Sequence, residues 1–400
     1  MPSQKADVVV VNTCGFIEAA TEESIAAILD AAEFAHARGA RVAAVGCLVE
    51  RYREELAAEL PEVDLWCGLD NAPLLAALAE GSAAAASASP GVAVPVPRRE
   101  RAVARYVKIS DGCDRRCAFC AIPLIKGDYE IVTHGEVLRV ARAALAAGAR
   151  ELVLVGQDTS RWAESGWGGV GRLLSELAAR EPAPVWLRLL YLQPDGIDDA
   201  LLEAMAQHAV PYVDVPLQHA SGALLRRMGR AGDGDAYLTL LRRVRAALPG
   251  VAVRSTLISG FPGETDADHE ELLAFVGEAG LAAAGVFPFD AQPGTVAAGL
   301  PAQVPRALAF ERAAELGEAI DRRAAAFWLA QRGSTVEVLI ERGARTPGKA
   351  AIGRCALQAP DIDGRTFVRG ASVRRGQLVR AVVTGALGYD VEADAGGPNT

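Results

Sequence analysis

Residues 109–123 read Ile109-Ser110-Asp111-Gly112-Cys113-Asp114-Arg115-Arg116-Cys117-Ala118-Phe119-Cys120-Ala121-Ile122-Pro123, and they carry three cysteines in the spacing C-x3-C-x2-C. Three thiolates can face one iron–sulfur cluster, and they leave one iron of a four-iron cluster without a protein ligand. That open iron is a place where chemistry can begin. A structural zinc ion is the alternative, but zinc usually takes four protein ligands. The nearest further histidine is His134, outside the loop.

The composition is that of a globular chain with a large core. The 400 residues are 51% hydrophobic and 23% charged, and this length predicts two or three domains. The sequence has no apolar run of about 18 residues and no basic-then-apolar leader, so we expect no membrane span, no signal peptide and a cytoplasmic location. Seven cysteines, an odd number without an export signal, favour reduced thiols that bind metal or react. The net charge of −9 gives little reason to expect nonspecific binding to nucleic acid.

The N-terminal segment, residues 1–80, alternates strand and helix in the manner of an open α/β sheet. A helix capped by Thr21 is predicted to run to about Ala37, where Gly39 stops it. Carboxyl ends of strands line the ligand crevice of such a sheet, so we expect the cysteines there to point to one edge. A lone cysteine is more commonly a buried apolar residue. Three predicted strands each lead to a cysteine: a buried Val-rich strand at 6–13 before Cys14, 41–45 before Cys47, and 63–66 before Cys67.

Residues 81–101 are small, contain proline and lack apolar periodicity, which predicts a linker. From 102 to 331 six predicted strands alternate with helices, which implies a parallel sheet curved into a partial barrel with its active site at the carboxyl ends of the strands. The predicted strands are 104–109, 151–155, 185–190, 212–216, 252–258 and 284–289.

The last segment, residues 332–396, follows a predicted helix at 303–331 and carries short strands at 336–341, 366–368 and 377–383, separated by turns. This pattern predicts a small antiparallel β-barrel. Ten lysines and arginines against seven aspartates and glutamates make the segment mildly basic. That balance permits RNA binding, but a solvated barrel surface explains it equally well.

Polar residues follow the predicted barrel strands, so they share one rim. The turn at 260–265 carries two glycines that would let the backbone approach a ligand, although Gly-Phe-Pro-Gly also makes an ordinary tight turn. His219 on its own would more often be a satisfied residue at the start of a helix. The rim stretches are Gln157-Asp158-Thr159-Ser160, Tyr191-Leu192-Gln193-Pro194, Pro216-Leu217-Gln218-His219-Ala220-Ser221 and Gly260-Phe261-Pro262-Gly263-Glu264-Thr265.

Over nearly its whole length the chain resembles the radical S-adenosylmethionine (SAM) methylthiotransferases. The resemblance rests on the cysteine loop, on the turn at 260–265, on a tail similar to the TRAM domain, and on the stretches Val10-Val11-Asn12-Thr13-Cys14-Gly15-Phe16-Ile17 and Gly46-Cys47-Leu48-Val49-Glu50-Arg51-Tyr52. It implies two [4Fe–4S] clusters, one on Cys113, Cys117 and Cys120 with SAM, and an auxiliary one on Cys14 and Cys47. The implied SAM-binding residues are Phe119, Gln157, Gly260, Pro262, Gly263 and Glu264, and Asp158, Gln218 and His219 are expected to contact substrate.

One branch of this family modifies an adenosine in tRNA and the other an aspartate of a small-subunit ribosomal protein. Three stretches resemble the ribosomal branch: Gln157-Asp158-Thr159-Ser160, Asp214-Val215-Pro216-Leu217-Gln218-His219-Ala220-Ser221 and Ala359-Pro360-Asp361-Ile362-Asp363-Gly364. The resemblance therefore implies that one SAM supplies a methyl group to sulfur, and a second yields a 5′-deoxyadenosyl radical that takes hydrogen from the aspartate β-carbon. It also implies a ribosomal protein or ribosome as substrate and an electron-donor protein, and we expect a monomer.

The chain departs from the family at three places. Family members carry a further N-terminal cluster cysteine before Asn12-Thr13-Cys14, so either a preceding segment supplies it, or the auxiliary cluster lacks that ligand, or Cys67 takes its place. Lys126-Gly127 followed by Ile131-Val132-Thr133 stands where members have Arg-Gly and Ser-Arg-Pro, and Phe289-Asp290 replaces Tyr-Ser. A tRNA methylthiotransferase and a noncatalytic ribosome- or RNA-binding relic remain the alternatives.

Overall fold

The computed structural model describes residues 6–70, 72–80, 102–344, 349–370 and 372–396. The predicted linker at 81–101 lies outside these residues. The structure divides into two compact units, and the first joins the N-terminal segment to Gly112–Asp128 and Asp290–Gly299. Because this grouping cuts across the predicted domain limits at 1–80, 102–331 and 332–396, those limits stay a prediction. No described helix has the length and apolarity needed to cross a membrane.

The first unit contains a three-stranded parallel sheet in the order β1-β2-β3. The sheet is held by consecutive parallel pairing, with Thr13 opposite Gly46 and Val45 opposite Cys67. Its elements are β1 (Val8–Thr13), α1 (Glu18–His36), β2 (Arg41–Gly46), α2 (Cys47–Glu59), β3 (Leu65–Cys67), α3 (Ala72–Glu80) and, in the cysteine loop, α4 (Ile122–Lys126).

Two details of this unit differ from the sequence prediction. Among the described strands, β1 is an outer strand of the sheet. It is not fully buried as predicted, because Val10 is 44% exposed. α1 begins one turn earlier than its predicted cap, and the Thr21 hydroxyl donates a hydrogen bond to the Ile17 carbonyl at 3.2 Å inside the first turn. Apolar valine content predicted the strand correctly, but it cannot show how many neighbours a strand has.

The second unit confirms the predicted partial barrel. Its strands are β4 (Ala104–Lys108), β5 (Ser110–Asp111), β6 (Glu130–Ile131), β7 (Glu151–Val155), β8 (Ala163–Glu164), β9 (Gly168–Gly169), β10 (Trp186–Leu189), β11 (Tyr212–Asp214), β12 (Ala252–Ser259) and β13 (Ala283–Pro288). Its helices are α5 (His134–Ala146), α6 (Val170–Ala178), α7 (Asp199–His208), α8 (Gly222–Arg227), α9 (Gly234–Ala247), α10 (Asp266–Ala279) and α11 (Arg306–Ala330).

Two parallel three-stranded sheets, β10-β7-β4 and β11-β12-β13, form the wall of this barrel. Backbone hydrogen bonds join them, because the Val210 amide donates to the Leu187 carbonyl at 2.9 Å and the Leu192 amide to the Asp214 carbonyl at 2.9 Å. The helices between the strands bury apolar stripes, such as Leu173, Leu174 and Leu177 of α6. Parallel strands joined by helices therefore place their following loops on one rim.

The tail of the second unit closes into a five-stranded barrel in the order β14-β15-β16-β18-β17. The sequence predicts three of these strands and misses two, β15 and β18. Pairing is antiparallel except between β16 and β18, which run parallel. The strands are β14 (Thr335–Arg342), β15 (Ala351–Cys355), β16 (Thr366–Arg369), β17 (Leu378–Leu387) and β18 (Asp390–Asp394).

One apolar cluster is shared by the partial barrel and the small barrel. It includes Trp186 and Tyr212 on the first side and Leu339 and Val391 on the second, all at most 5% exposed. Trp328 of α11 is buried in the same cluster and its indole N–H donates to the Ala282 carbonyl at 3.2 Å. The two barrels are thus packed as parts of one core.

Candidate cofactor loops and barrel rim

Hydrogen bonds close the cysteine loop of the first unit at its base, and its backbone turns at residues with positive φ. The Cys113 amide donates to the Gly127 carbonyl at 3.1 Å, and the Cys120 amide donates to the Cys117 carbonyl at 3.0 Å. Gly112 has φ +67°, and a Cβ there would lie 2.0 Å from the Asp128 carbonyl oxygen, so only glycine fits. Local hydrogen bonds therefore keep the three cysteines on one short, closed loop.

The side chains of this loop suit a cluster. Cys113, Cys117 and Cys120 are all partly exposed, as is Phe119 between them. Arg116 lies at φ +53°, which turns the chain between the first two cysteines. Three partly exposed cysteines on one loop fit the thiolate ligation of iron–sulfur clusters. Within the described ranges, no three His, Cys, Asp or Glu side chains are grouped to hold a single metal ion.

Cys14 and Cys47 emerge side by side from the N-terminal sheet. They directly follow Thr13 and Gly46, which are opposite each other in adjacent parallel strands, and such strands are about 4.8 Å apart. Gly46 has φ +106°, and a Cβ there would lie 2.6 Å from the Thr13 carbonyl oxygen. Ser24 of α1 fixes Cys14, since its Oγ accepts from the Cys14 amide at 3.0 Å and donates to the Cys14 carbonyl at 3.1 Å. The sheet therefore brings these two predicted ligands to one edge.

Cys67 lies elsewhere in the same sheet. It is fully buried in an apolar cluster with Ala43, Val45 and Leu74. This burial raises the pKa of the Cys67 thiol, an effect that Arg53 opposes in part. A thiol in such surroundings favours the protonated form, whereas a metal ligand must be a thiolate.

Arg51 of α2 joins the loop after β1, which carries Cys14, to the segment 290–299, all within the first unit. Its guanidinium donates to the Gly15 carbonyl at 3.0 Å, to Gln292 Oε1 at 2.5 Å and to the Pro293 carbonyl at 2.6 Å. The Ala297 amide in turn donates to the Ala118 carbonyl at 2.8 Å. One arginine fork and one backbone bond thus link this segment to both cysteine-bearing regions.

Asp290, one of the residues that depart from the family pattern, supports the start of α1. The N-cap residue Ile17 has no side-chain acceptor, and Asp290 Oδ2 accepts the Glu18 amide at 2.6 Å instead. A carboxylate at this position satisfies an unpaired helix donor and favours the helix dipole. The Asp290 carboxylate therefore supplies the hydrogen-bond acceptor that the N-cap residue Ile17 lacks.

We expect Asp290→Ala to destabilise the first unit by roughly 1 kcal/mol, the usual cost of losing an N-cap acceptor. Asp290→Asn keeps an acceptor oxygen and should retain most of that stability. Thermal unfolding followed by circular dichroism measures the difference, with Asp30→Ala on the exposed middle of α1 as the control. Equal destabilisation by the Ala and Asn variants would contradict this role.

The predicted cofactor turn of the second unit is packed tightly by protein. Gly260 has φ +76° and a Cβ there would lie 2.2 Å from Ala309 Cβ, while a Cβ on Gly263, at φ +81°, would meet the Arg227 guanidinium at 1.8 Å. Phe261 and Pro262 are buried. Protein packing and left-handed backbone therefore explain both glycines.

Glu264 holds this turn together. Its Oε2 accepts the Gly260 amide at 2.7 Å and its Oε1 accepts from Arg312 of α11 at 2.9 Å. His219 is fully buried beside it, with Nε2 3.7 Å from Glu264 Oε2, beyond hydrogen-bond length. Burial alone would raise the pKa of Glu264, but His219, the Gly260 amide and Arg312 outweigh burial and lower it. Glu264 is thus an ionised acceptor inside the fold, a role that sequence reasoning missed because Arg312 is distant in the chain.

The remaining predicted residues lie on the barrel rim. Asp158 is fully buried, and the Ser160 hydroxyl donates to its Oδ1 at 2.7 Å. Gln157 is partly exposed and Gln218 is 7% exposed. Gln193, in a stretch noted from sequence but not selected as a site residue, is 6% exposed and donates its amide to Ser160 Oγ at 3.3 Å. The loops after β7, β10 and β11 therefore form a connected rim.

Comparison with known proteins identifies the components. Residues 107–276 match the radical SAM superfamily, residues 1–68 match the uncharacterized protein family UPF0004, and residues 333–395 match the TRAM domain. The radical SAM methyltransferase TsrM from Kitasatospora setae has a similar fold, with a TM-score of 0.51 at 16% identity over 71% of this chain and 64% of that one. The barrel and the cysteine loop thus define a radical SAM enzyme, a class that uses a [4Fe–4S] cluster and SAM.

Close relatives give the family. The ribosomal protein uS12 methylthiotransferase RimO of Desulforudis audaxviator is 42% identical over 97% of this chain and 89% of its own length. The corresponding enzyme of Roseiflexus castenholzii is 38% identical over 98% of this chain and 89% of its own length. The chain belongs to the RimO family of methylthiotransferases.

Proposed function

We propose that this enzyme adds a methylthio group to the β-carbon of an aspartate in ribosomal protein uS12. The observation that carries the proposal is the identity of 42% over 97% of the chain with a relative named for that substrate. The three stretches that resemble the ribosomal branch support it. Such a carbon–hydrogen bond has no useful acidity, so a general base would not suffice, and the bound cluster and SAM would supply radical chemistry.

We assign the residues as follows. Cys113, Cys117 and Cys120 would hold the cluster that binds SAM, because their loop is closed and all three residues are partly exposed. Cys14 and Cys47 would hold an auxiliary cluster at the sheet edge. Phe119, Gln157 and the turn at Gly260, Pro262, Gly263 and Glu264 remain predicted SAM contacts, and Asp158, Gln218 and His219 remain predicted substrate contacts. An electron-donor protein and a monomeric state also remain predictions.

The test is a reaction of the anaerobically reconstituted chain with purified uS12, SAM, sulfide and a reductant. We expect mass spectrometry of uS12 peptides to show one methylthio group on an aspartate. Bulk tRNA in a parallel reaction is expected to stay unmodified. Methylthioadenosine in that tRNA would support the tRNA branch instead, and binding to uS12 without SAM cleavage would support a noncatalytic relic.

A further inference from the structure

Two glutamines on the barrel rim bury acceptor atoms that the fold does not use. Gln193 follows β10 and is 6% exposed, and Gln218 follows β11 and is 7% exposed. In the part of the chain that the structure describes, neither Oε1 atom has a hydrogen-bond partner. Gln157 Oε1, on the neighbouring loop, shares this property. A buried acceptor without a donor is costly to a fold, so these atoms indicate a ligand that brings N–H or O–H groups.

The backbone at the same place is strained. Tyr191 has φ +59° and Gln218 has φ +68°, a region that side-chain-bearing residues rarely occupy. Such conformations persist where the surroundings impose them, and they concentrate at ligand sites. Tyr191 is also 46% exposed. The rim therefore combines a partly exposed aromatic residue with buried amide oxygens.

Asp214 imposes the conformation of the Tyr191 loop. Its Oδ2 accepts the Tyr191 amide at 3.1 Å and its carbonyl accepts the Leu192 amide at 2.9 Å. Its Oδ1 accepts from Arg254 at 2.9 Å. Because Asp214 is 2% exposed, this ion pair is sheltered from solvent and acts as a fixed support for the loop.

The three stretches that resemble the ribosomal branch meet through this support. Arg254 lies between Asp214 of the second stretch and Asp363 of the third, with its Nε 4.0 Å from Asp363 Oδ1. The Tyr212 hydroxyl donates to Asp363 Oδ2 at 2.7 Å. Ser160 of the first stretch accepts the Gln193 amide. Residues that distinguish the branches thus converge on the loop at Tyr191–Gln193.

We infer that Tyr191, Gln193 and Gln218 form a subsite for the backbone of the polypeptide substrate, positioned by the ion pair of Asp214 and Arg254. The inference rests on the proposed function. A polypeptide offers one backbone N–H per residue, which is the donor these oxygens lack, whereas an RNA backbone presents mainly phosphate acceptors and donates only through its 2′-hydroxyls. The last side-chain torsion of glutamine rotates easily, so each buried Oε1 can turn toward the substrate when it binds. In this subsite the Tyr191 ring packs on apolar side chains of the bound segment of the substrate.

Gln193→Met tests the acceptor, since it keeps the length of the side chain and removes the oxygen. We expect the affinity of the full chain for fluorescently labelled uS12, measured by anisotropy, to fall about tenfold, and the KM for uS12 to rise similarly. Affinity for SAM should stay within about twofold of the parent value. Gln207→Met on the exposed face of α7 is the matched control and should bind uS12 as the parent does.

Tyr191→Gly separates binding from folding. Glycine adopts φ +59° without strain, so the unfolding midpoint should hold or rise while affinity for uS12 falls about tenfold. A purely structural tyrosine would lower the midpoint instead. The inference is overturned if both variants bind uS12 like the parent, or if SAM affinity falls in parallel. A parent that binds uS12 without modifying it contradicts the proposed function alone, and a parent that does neither contradicts both.

Discussion

A variant with Cys113, Cys117 and Cys120 all replaced by alanine is expected to lose methylthiolation completely and to bind about four fewer iron atoms per chain than the parent. Under the proposed assignment these three thiols hold the cluster that binds SAM, and the closed loop carries no other cysteine to replace them. Iron and sulfide analysis after anaerobic reconstitution measures the loss, and cleavage of SAM by the reduced protein measures its consequence.

Iron content also tests the auxiliary site. About eight irons in the parent and about four in the triple variant would show two clusters, and a further Cys14→Ala change should then remove the rest. About four in the parent and none in the variant would contradict an auxiliary cluster on this chain. Cys67→Ala is the matched control: because Cys67 is buried among apolar side chains, we expect it to keep the full iron content. Iron loss in that variant would make Cys67 a ligand.

Local patterns predicted the elements that position the site. β7 was predicted at 151–155 and spans Glu151–Val155, and the spacing of strands and helices predicted a partial barrel with polar loops on one rim. The cysteine spacing predicted one short loop that carries three thiols, and the structure has that loop. These features depend on short-range periodicity and spacing, which a sequence records directly.

Long-range pairings could not be predicted in this way. Asp290 caps a helix 272 residues away, and Glu151 pairs with Arg354, 203 residues away. Neither side chain carries a local signal of its partner. The glycines at 260 and 263 are compatible with two interpretations, because a left-handed turn can approach either a ligand or a packed helix. Only the positions of Ala309 and Arg227 in the structure show which atoms fill the space beside them.

Glu151→Gln is expected to destabilise the second unit by about 3–5 kcal/mol, the cost of breaking a buried ion pair on one side. Glu151 is fully buried between two arginines, with Oε1 2.7 Å from Arg188 Nε and Oε2 2.6 Å from an Arg354 terminal nitrogen. Burial would raise the pKa of Glu151, but the charges of Arg188 and Arg354 outweigh it and lower the pKa. Neutralising this side chain leaves two buried guanidinium groups without their shared partner.

Urea unfolding followed by tryptophan fluorescence measures the loss, because Trp186 and Trp328 are buried in the core that the two barrels share. Glu136→Gln, which breaks the exposed pair with Arg139, is the control and should cost under about 1 kcal/mol. Since the pKa of Glu151 is lowered in the folded state, its contribution is present above the ordinary pKa of about 4.3 and is lost as the pH falls below it. The parent should therefore lose stability more steeply with acid than the Gln variant. Two results would contradict a role for this ion network in joining the small barrel to the radical SAM barrel. One is an equal dependence of unfolding free energy on pH in the parent and the Glu151→Gln variant, and the other is a loss of stability in that variant as small as that of the control.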